Sequence, residues 1–243
     1  MPRYFLELAY KGTAYHGFQI QDNAPTIQLH IEKALITLFK QPFELTGSSR
    51  TDAGVHALQN FFHFDAELDI HAKHLYNLNA ILPNDIAVKS IQPVADTAHC
   101  RFDALGRAYH YYIYQQKQPF LNDRAWFYPY SLDLSLLNQA AALIKKHTDF
   151  TSFAKRNSQV FTHNCTIHVS EWIITADQQY MYHVQANRFL RGMVRALVGT
   201  MLKVGRGQLS LEAFEQIIIA KDCTKADFST PPHGLFLAKV LFP

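Results

Sequence analysis

Arg50, Asp52 and His56 fall within seven residues of one polar stretch, TGSSRTDAGVHALQN, which runs from Thr46 to Asn60 and carries Gly47 and Gly54. A carboxylate so placed can serve as nucleophile, general base or electrostatic stabiliser. An arginine two positions away can hold it ionised or take a phosphate. Gly54 lets the backbone turn tightly and approach a ligand. A plainer arrangement competes: an Asx-type turn in which the Asp52 side chain only bonds its own backbone. The residues alone leave both open, and the turn is the commoner case.

Two further groups of residues bear on the choice. Arg101 and Arg107 stand beside Tyr109, Tyr111 and Tyr112, and NRFLRGMVR spaces Arg188, Arg191 and Arg195 by three and four. That spacing predicts one side of a helix. Arginine interleaved with exposed rings suits nucleotides taken out of their stack, by phosphate pairing and base stacking. A solvated helix face with core tyrosines would give the same pattern. A lone carboxylate, an arginine and stacking rings together fit rearrangement or cleavage at the glycosidic carbon of a flipped nucleotide. A hydrolase would ordinarily use a second carboxylate, and none lies near Asp52 in sequence.

Other chemistries find less support. The chain has 13 histidines, and His71 and His74 are one helical turn apart, but no carboxylate or cysteine completes a metal set. Cys100, Cys165 and Cys223 lie far apart with no CxxC spacing, and there is no GxSxG. GTAYHG and GRGQLS lack the Walker lysine and the dinucleotide fingerprint, so neither ATP nor NAD is expected. No metal and no cofactor are expected.

The elements that must position these residues read clearly in part. RYFLELAY predicts a strand. Thr26 caps a helix on which Ile27, Ile31, Ala34, Leu35 and Leu38 recur up to Phe39. PFELTGSS predicts a strand into the polar stretch, and NFFHFDAE a strand out of it. Leu75, Leu78 and Leu82 predict a helix stopped at Pro83-Asn84, and DIAVKSIQPV another strand. In the second half RAYHYYIYQQ alternates as a strand. Leu137, Ala141 and Ile144 predict a helix, and TIHVSEWIIT and QYMYHVQAN a hairpin. FLRGMVRALVGTMLKVG predicts a helix ending near Gly205, Ser210 caps the next, and GLFLAKVLFP closes as a strand. The pattern predicts two α+β halves, residues 1–105 and 106–243, with a cleft between them.

Composition indicates a folded globular protein. The chain has 243 residues, 48% of them apolar, and a net charge of +3, which permits a polyanionic partner without requiring one. No stretch approaches the roughly 20 apolar residues of a membrane span. The opening residues are too short an apolar run, and too charged, for a signal peptide. A reduced, cytoplasmic protein is expected.

RTDAGVHA, Arg50 to Ala57, resembles the signature of the TruA-type tRNA pseudouridine synthases. The resemblance extends through LAYKGTAYHGFQIQ, LNAILPNDIAV, CRFDALGRAYHY, NRFLRGMVRALVGTML and GLFLAKVLFP, nearly the whole chain. It implies the pseudouridine synthase fold: two ferredoxin-like or RRM-like α+β halves, with mixed, mostly antiparallel sheets flanking a basic cleft. It implies a homodimer without metal or cofactor that isomerises uridine to pseudouridine at positions 38, 39 and 40 of the tRNA anticodon stem-loop. Asp52 matches the catalytic aspartate, acting at C1′ as nucleophile or by assisting glycal formation. Tyr109 matches the tyrosine that stacks on the target base. Arg50 and Arg195 match arginines at the cleft, Arg195 able to pair with Asp52. Arg107, Arg188, Arg191, Lys11 and Gln19 are expected RNA contacts. The sequence departs from the family pattern at Ser49, often Gly, at Lys11, often Asp, and at Phe18, often Trp. Lys11 and Phe18 fall in a loop expected to meet RNA. Two other functions remain open beside this one: a non-catalytic RNA-binding module, and an N-glycosidase that frees uracil.

Overall fold

The computed structural model describes residues 1–156 and 160–243. By contacts the chain divides into two compact units, Met1–Leu105 together with Phe236–Pro243, and Gly106–Leu235. The first contains β1 (Arg3–Tyr10), α1 (Ile27–Phe39), β2 (Thr46–Gly47), β3 (His56–Asp65), α2 (Ala72–Ile81) and β4 (Ile86–Val94). The second contains β5 (Gly106–Tyr114), β6 (Trp126–Phe127), α3 (Leu134–Ile144), β7 (Ile167–Ile174), β8 (Tyr180–Ala186), α4 (Met193–Gly205) and α5 (Leu211–Ile219). The last strand, β9 (Leu235–Leu241), crosses from the second unit into the first.

In the first unit the strands run in the order β4-β1-β3-β9, with β2 on β3. β1 alternates: Tyr4, Leu6, Leu8 and Tyr10 are buried and the residues between them half-exposed. That is the period of a strand with one face on a core. Thr26 caps α1 by accepting the Leu29 N–H, and Ile27, Ile31, Ala34 and Leu35 form its buried stripe. Each large apolar side chain of that stripe contributes about 1.5–3 kcal/mol. Asn79 of α2 clamps β4, its amide donating to the Val88 carbonyl and accepting the Val88 N–H, both at 2.8 Å.

In the second unit the order is β5-β8-β7, with β6 on β5. Asn138 of α3 repeats the clamp on Trp172 of β7, with both bonds at 2.9 Å. The Trp172 indole N–H reaches Met201 Sδ of α4 at 3.5 Å. Asp133 caps α3 and Ser210 caps α5. Within each unit the strand pairing of the described residues is antiparallel except at β3–β9 and β5–β6. The fold is α+β, as the sequence predicts.

Four elements differ from the sequence reading. The strand expected over PFELTGSS is only Thr46–Gly47. Pro42 has no N–H to give a ladder, and the Leu45 carbonyl accepts from the Gln28 side chain instead. The outgoing strand begins at His56, four residues before the predicted Asn60. α4 begins at Met193, so Arg188 and Arg191 are not helical and share no helix face with Arg195. Gly192 interrupts the run with φ 76, a left-handed conformation that starts the helix after it. The closing strand pairs parallel with β3, His56 opposite Phe236 and Ala57 opposite Leu237, and Phe236–Pro243 belong to the first unit.

Candidate active site

In the first unit, Asp52 stands in a loop whose neighbours are pinned on both sides. Ser49 and Thr51 are buried, Arg50 is exposed and Asp52 is half-buried. The Thr51 hydroxyl meets Tyr10 Oη at 2.7 Å, and the Asn60 side-chain amide donates to Tyr10 Oη at 3.2 Å and to the Ser49 carbonyl at 2.9 Å. The Thr51 carbonyl accepts the Phe18 N–H at 3.1 Å. The anchored Ser49 and Thr51 thus flank the exposed Arg50, and the half-buried Asp52 follows Thr51.

The competing Asx-turn explanation fails on this geometry. In such a turn the aspartate side chain takes the N–H two residues on. Here the Gly54 N–H goes to the Tyr15 carbonyl at 3.3 Å, and the Val55 N–H goes to the backbone carbonyl of Asp52 at 3.2 Å. Gly54 adopts φ 76, so the turn is made by the main chain. Among the described residues of its own unit the Asp52 carboxylate has no hydrogen-bond or ion-pair partner, and neither has the Arg50 guanidinium. The Asp52 carboxylate is thus half-buried on a fixed loop and unpaired among the described residues of its unit.

The first loop supports it from behind. Phe18 is 2% exposed and stacks on Phe62 with centroids 4.5 Å apart. It is a core residue under the loop, which corrects the expectation that it faces RNA. Gln19 is exposed, and Lys11 is half-exposed with its N–H on the Asp85 carbonyl at 2.8 Å. The Tyr15 hydroxyl bonds the Asp85 carboxylate, and burial with that bond raises its phenol pKa.

In the second unit, Tyr109 of β5 lies opposite Val184 and is half-exposed, with Phe189 edge-on at 5.0 Å. Arg107, two residues earlier on the same face, is also half-exposed. Tyr111 is fully buried and donates to the Pro231 carbonyl at 2.8 Å, so it is core and not a stacking platform. Arg195 Nε donates to the Thr230 carbonyl at 2.6 Å, and the Thr230 hydroxyl donates back to the Arg195 carbonyl at 2.8 Å. Among the described residues of that unit the terminal guanidinium nitrogens take no further partner. Arg191 is exposed, and Arg188 is half-exposed, with its N–H on Asn187 Oδ1 at 2.8 Å.

Among the described residues no group of three His, Cys, Asp or Glu could hold a metal ion. His71 and His74 close the N-terminus of α2, the His71 N–H donating to His74 Nδ1 at 3.1 Å.

The model of one protein family, described as tRNA pseudouridine synthase, matches residues 8–103 and 140–243, most of the chain. The chain belongs to the tRNA pseudouridine synthase family. Both Asp52 and Arg195 fall within the matched segments; Tyr109 and Arg107 lie between them. Curated relatives span the full length. The tRNA pseudouridine synthase A of Porphyromonas gingivalis is 43% identical over 100% of this chain and 98% of its own. Its namesake in Bacteroides fragilis is 45% identical over 99% and 96%. That of Staphylococcus aureus is 38% identical over 98% and 90%. Membership makes the chain an isomerase that acts on tRNA.

Sequence reasoning did not assign Tyr10, Asn60 or Thr230 to the site. Each is a polar residue whose partner is far away in sequence, so no local pattern announces it.

Proposed function

We propose that this protein converts uridine to pseudouridine at positions 38, 39 and 40 of the tRNA anticodon stem-loop, with Asp52 as the carboxylate that acts at C1′. The observation that carries the reading is the free Asp52 carboxylate, held half-buried by anchored neighbours and excluded from its own turn. Asp52 either attacks C1′ or assists formation of a glycal as the N1–C1′ bond breaks. The uracil rotates, C5 bonds to C1′, the C5 proton leaves and N1 gains a proton, so the product is an isomer of the substrate. Tyr109 stacks on the flipped base, offsetting the few kcal/mol that unstacking costs. Its edge contact with Phe189 holds the ring in place. Arg50 and Arg195 hold the nucleotide, and Arg107, Arg188, Arg191, Lys11 and Gln19 meet the RNA around it.

No helix among the described residues is long and apolar enough to cross a membrane. The resemblance further supports a cytoplasmic location and a homodimer, and light scattering of the purified protein tests the second.

The deciding experiment gives the purified protein tRNA labelled with tritium at uridine C5. The reading predicts one tritium released per modified site, mapping to positions 38–40, with no free uracil. An RNA-binding module would release none, and an N-glycosidase would liberate the base.

A further inference from the structure

A second group of basic side chains lies in the second unit. Lys155 and Arg156, with His163 and the Asp149-paired Lys221, line a surface cavity of about 330 Å³. Its acidic lining residue, Asp222, spends Oδ1 on the Thr224 N–H at 2.9 Å and hydroxyl at 2.8 Å. The Asp222 N–H donates to Ser152 Oγ at 2.9 Å, and Ser152 is fully buried, so that wall is rigid. Lys221, held by Asp149 at 2.8 Å, has a left-handed backbone with φ 51.

The opposite wall is joined to the segment that serves Tyr109. The Lys155 N–H donates to the Arg191 carbonyl at 3.0 Å. The Lys155 stem lies over Gly192, where an added Cβ would sit 3.0 Å from its Cγ. Two residues before Arg191 the same segment places Phe189 against Tyr109. Asn187 fixes the start of the segment, accepting the Thr166 N–H at 2.8 Å and donating its own N–H to the Thr166 carbonyl at 3.1 Å. The segment whose Phe189 ring braces Tyr109 is thus hydrogen-bonded to the backbone of the basic cavity. Phosphates of a single strand flank every base, so cations at such a place meet backbone charge and not base edges.

We propose that the Lys155–Arg156–His163–Lys221 cavity is a phosphate-binding site for the RNA strand that carries the reacting nucleotide. It rests on the reading of the chain as a tRNA-modifying enzyme. The ligand is a backbone phosphodiester, and the site contributes affinity without reading sequence.

The test compares the full chain with a K155Q/R156Q variant in tRNA binding, by fluorescence anisotropy across a series of KCl concentrations. The variant is expected to bind about tenfold more weakly at physiological salt, and the slope of log Kd against log salt to fall by about 0.7–0.9 for each phosphate that is no longer neutralised. A charge-retaining K155R/R156K variant is expected to bind like the wild type. Unchanged affinity and slope in K155Q/R156Q would overturn the proposal. Equal losses in both variants would overturn it too, because packing and not charge would then be at work. If inorganic phosphate raises the melting temperature of the wild type but not of K155Q/R156Q, while tRNA affinity is the same in both, the cavity is a small-anion site and the proposal fails. Weaker binding by K155Q/R156Q alongside a wild type that releases no tritium would sustain the RNA site and overturn only the isomerase reading.

Discussion

His56 Nδ1 accepts the backbone N–H of Gly12 at 3.0 Å, and its imidazole, 1% exposed, stacks on Phe236 with centroids 4.5 Å apart. One ring thereby joins the loop after β1, the Asp52 loop and the closing strand, all within the first unit. The bond requires the tautomer with its proton on Nε2. Gly12 has to be glycine here, because a Cβ would overlap the Val55 carbonyl oxygen. His56 has no chemical role readable from sequence; the structure gives it a positional one, holding the end of the Asp52 loop.

Replacing His56 by Ala removes the acceptor and the stacked ring together. The expected loss is about 2–3 kcal/mol, since the Gly12 N–H is left buried and unsatisfied. Thermal melting should show it, and kcat should fall as the Asp52 loop loosens. His56→Gln, which restores an acceptor, should recover part of both. Wild-type melting and turnover in His56→Ala would contradict the role.

Thr230 and Arg195 form a reciprocal pair in the second unit. Thr230→Val keeps the shape and deletes the hydroxyl, for a loss of about 1 kcal/mol. The Arg195 side chain still bonds the Thr230 carbonyl, but on a less constrained segment. The expected result is a reduced kcat/KM for tRNA that Thr230→Ser restores. Equal losses in both variants would show that the hydroxyl does not position Arg195.

Burial, with a smaller contribution from the neighbouring His183, lowers His110 from 6.5 to about 4. Burial does the same to His63, helped by His99 and Arg3 and opposed by Asp65 and Asp103. The unfolded chain therefore takes up these protons first. The stability tied to neutral imidazoles is whole above about pH 6.5 and is lost as pH falls through about 4. Across that window the melting temperature should drop, and His110→Gln should flatten the drop. A slope identical to the wild type would exclude His110 as a contributor.

Much of the fold was legible because its signals are local. Thr26 and Ser210 cap the helices they announce, and Gly205 ends α4. The alternation of RYFLELAY reports a strand with one buried face. What escaped is what depends on distance. Nothing local says that Phe236 will lie parallel to His56, 180 residues earlier. The spacing of Arg188, Arg191 and Arg195 fits a helix, yet the left-handed Gly192 cuts it, because a glycine in the run permits either conformation. Asp52 stands out by its company, but its freedom from the turn depends on the Gly54 and Val55 N–H groups, which bond main-chain carbonyls and not its carboxylate. Phe18 reads as a loop residue, and only the packing on Phe62 reveals it as core.

The central claim is that the free Asp52 carboxylate performs the C1′ chemistry. Asp52→Asn preserves size and, because the fold makes no use of the carboxylate within its unit, should preserve melting temperature and tRNA affinity. The most direct measurement is single-turnover tritium release from C5-labelled tRNA by purified Asp52→Asn enzyme. The account predicts no release above background with binding intact. Release at the wild-type rate would contradict it.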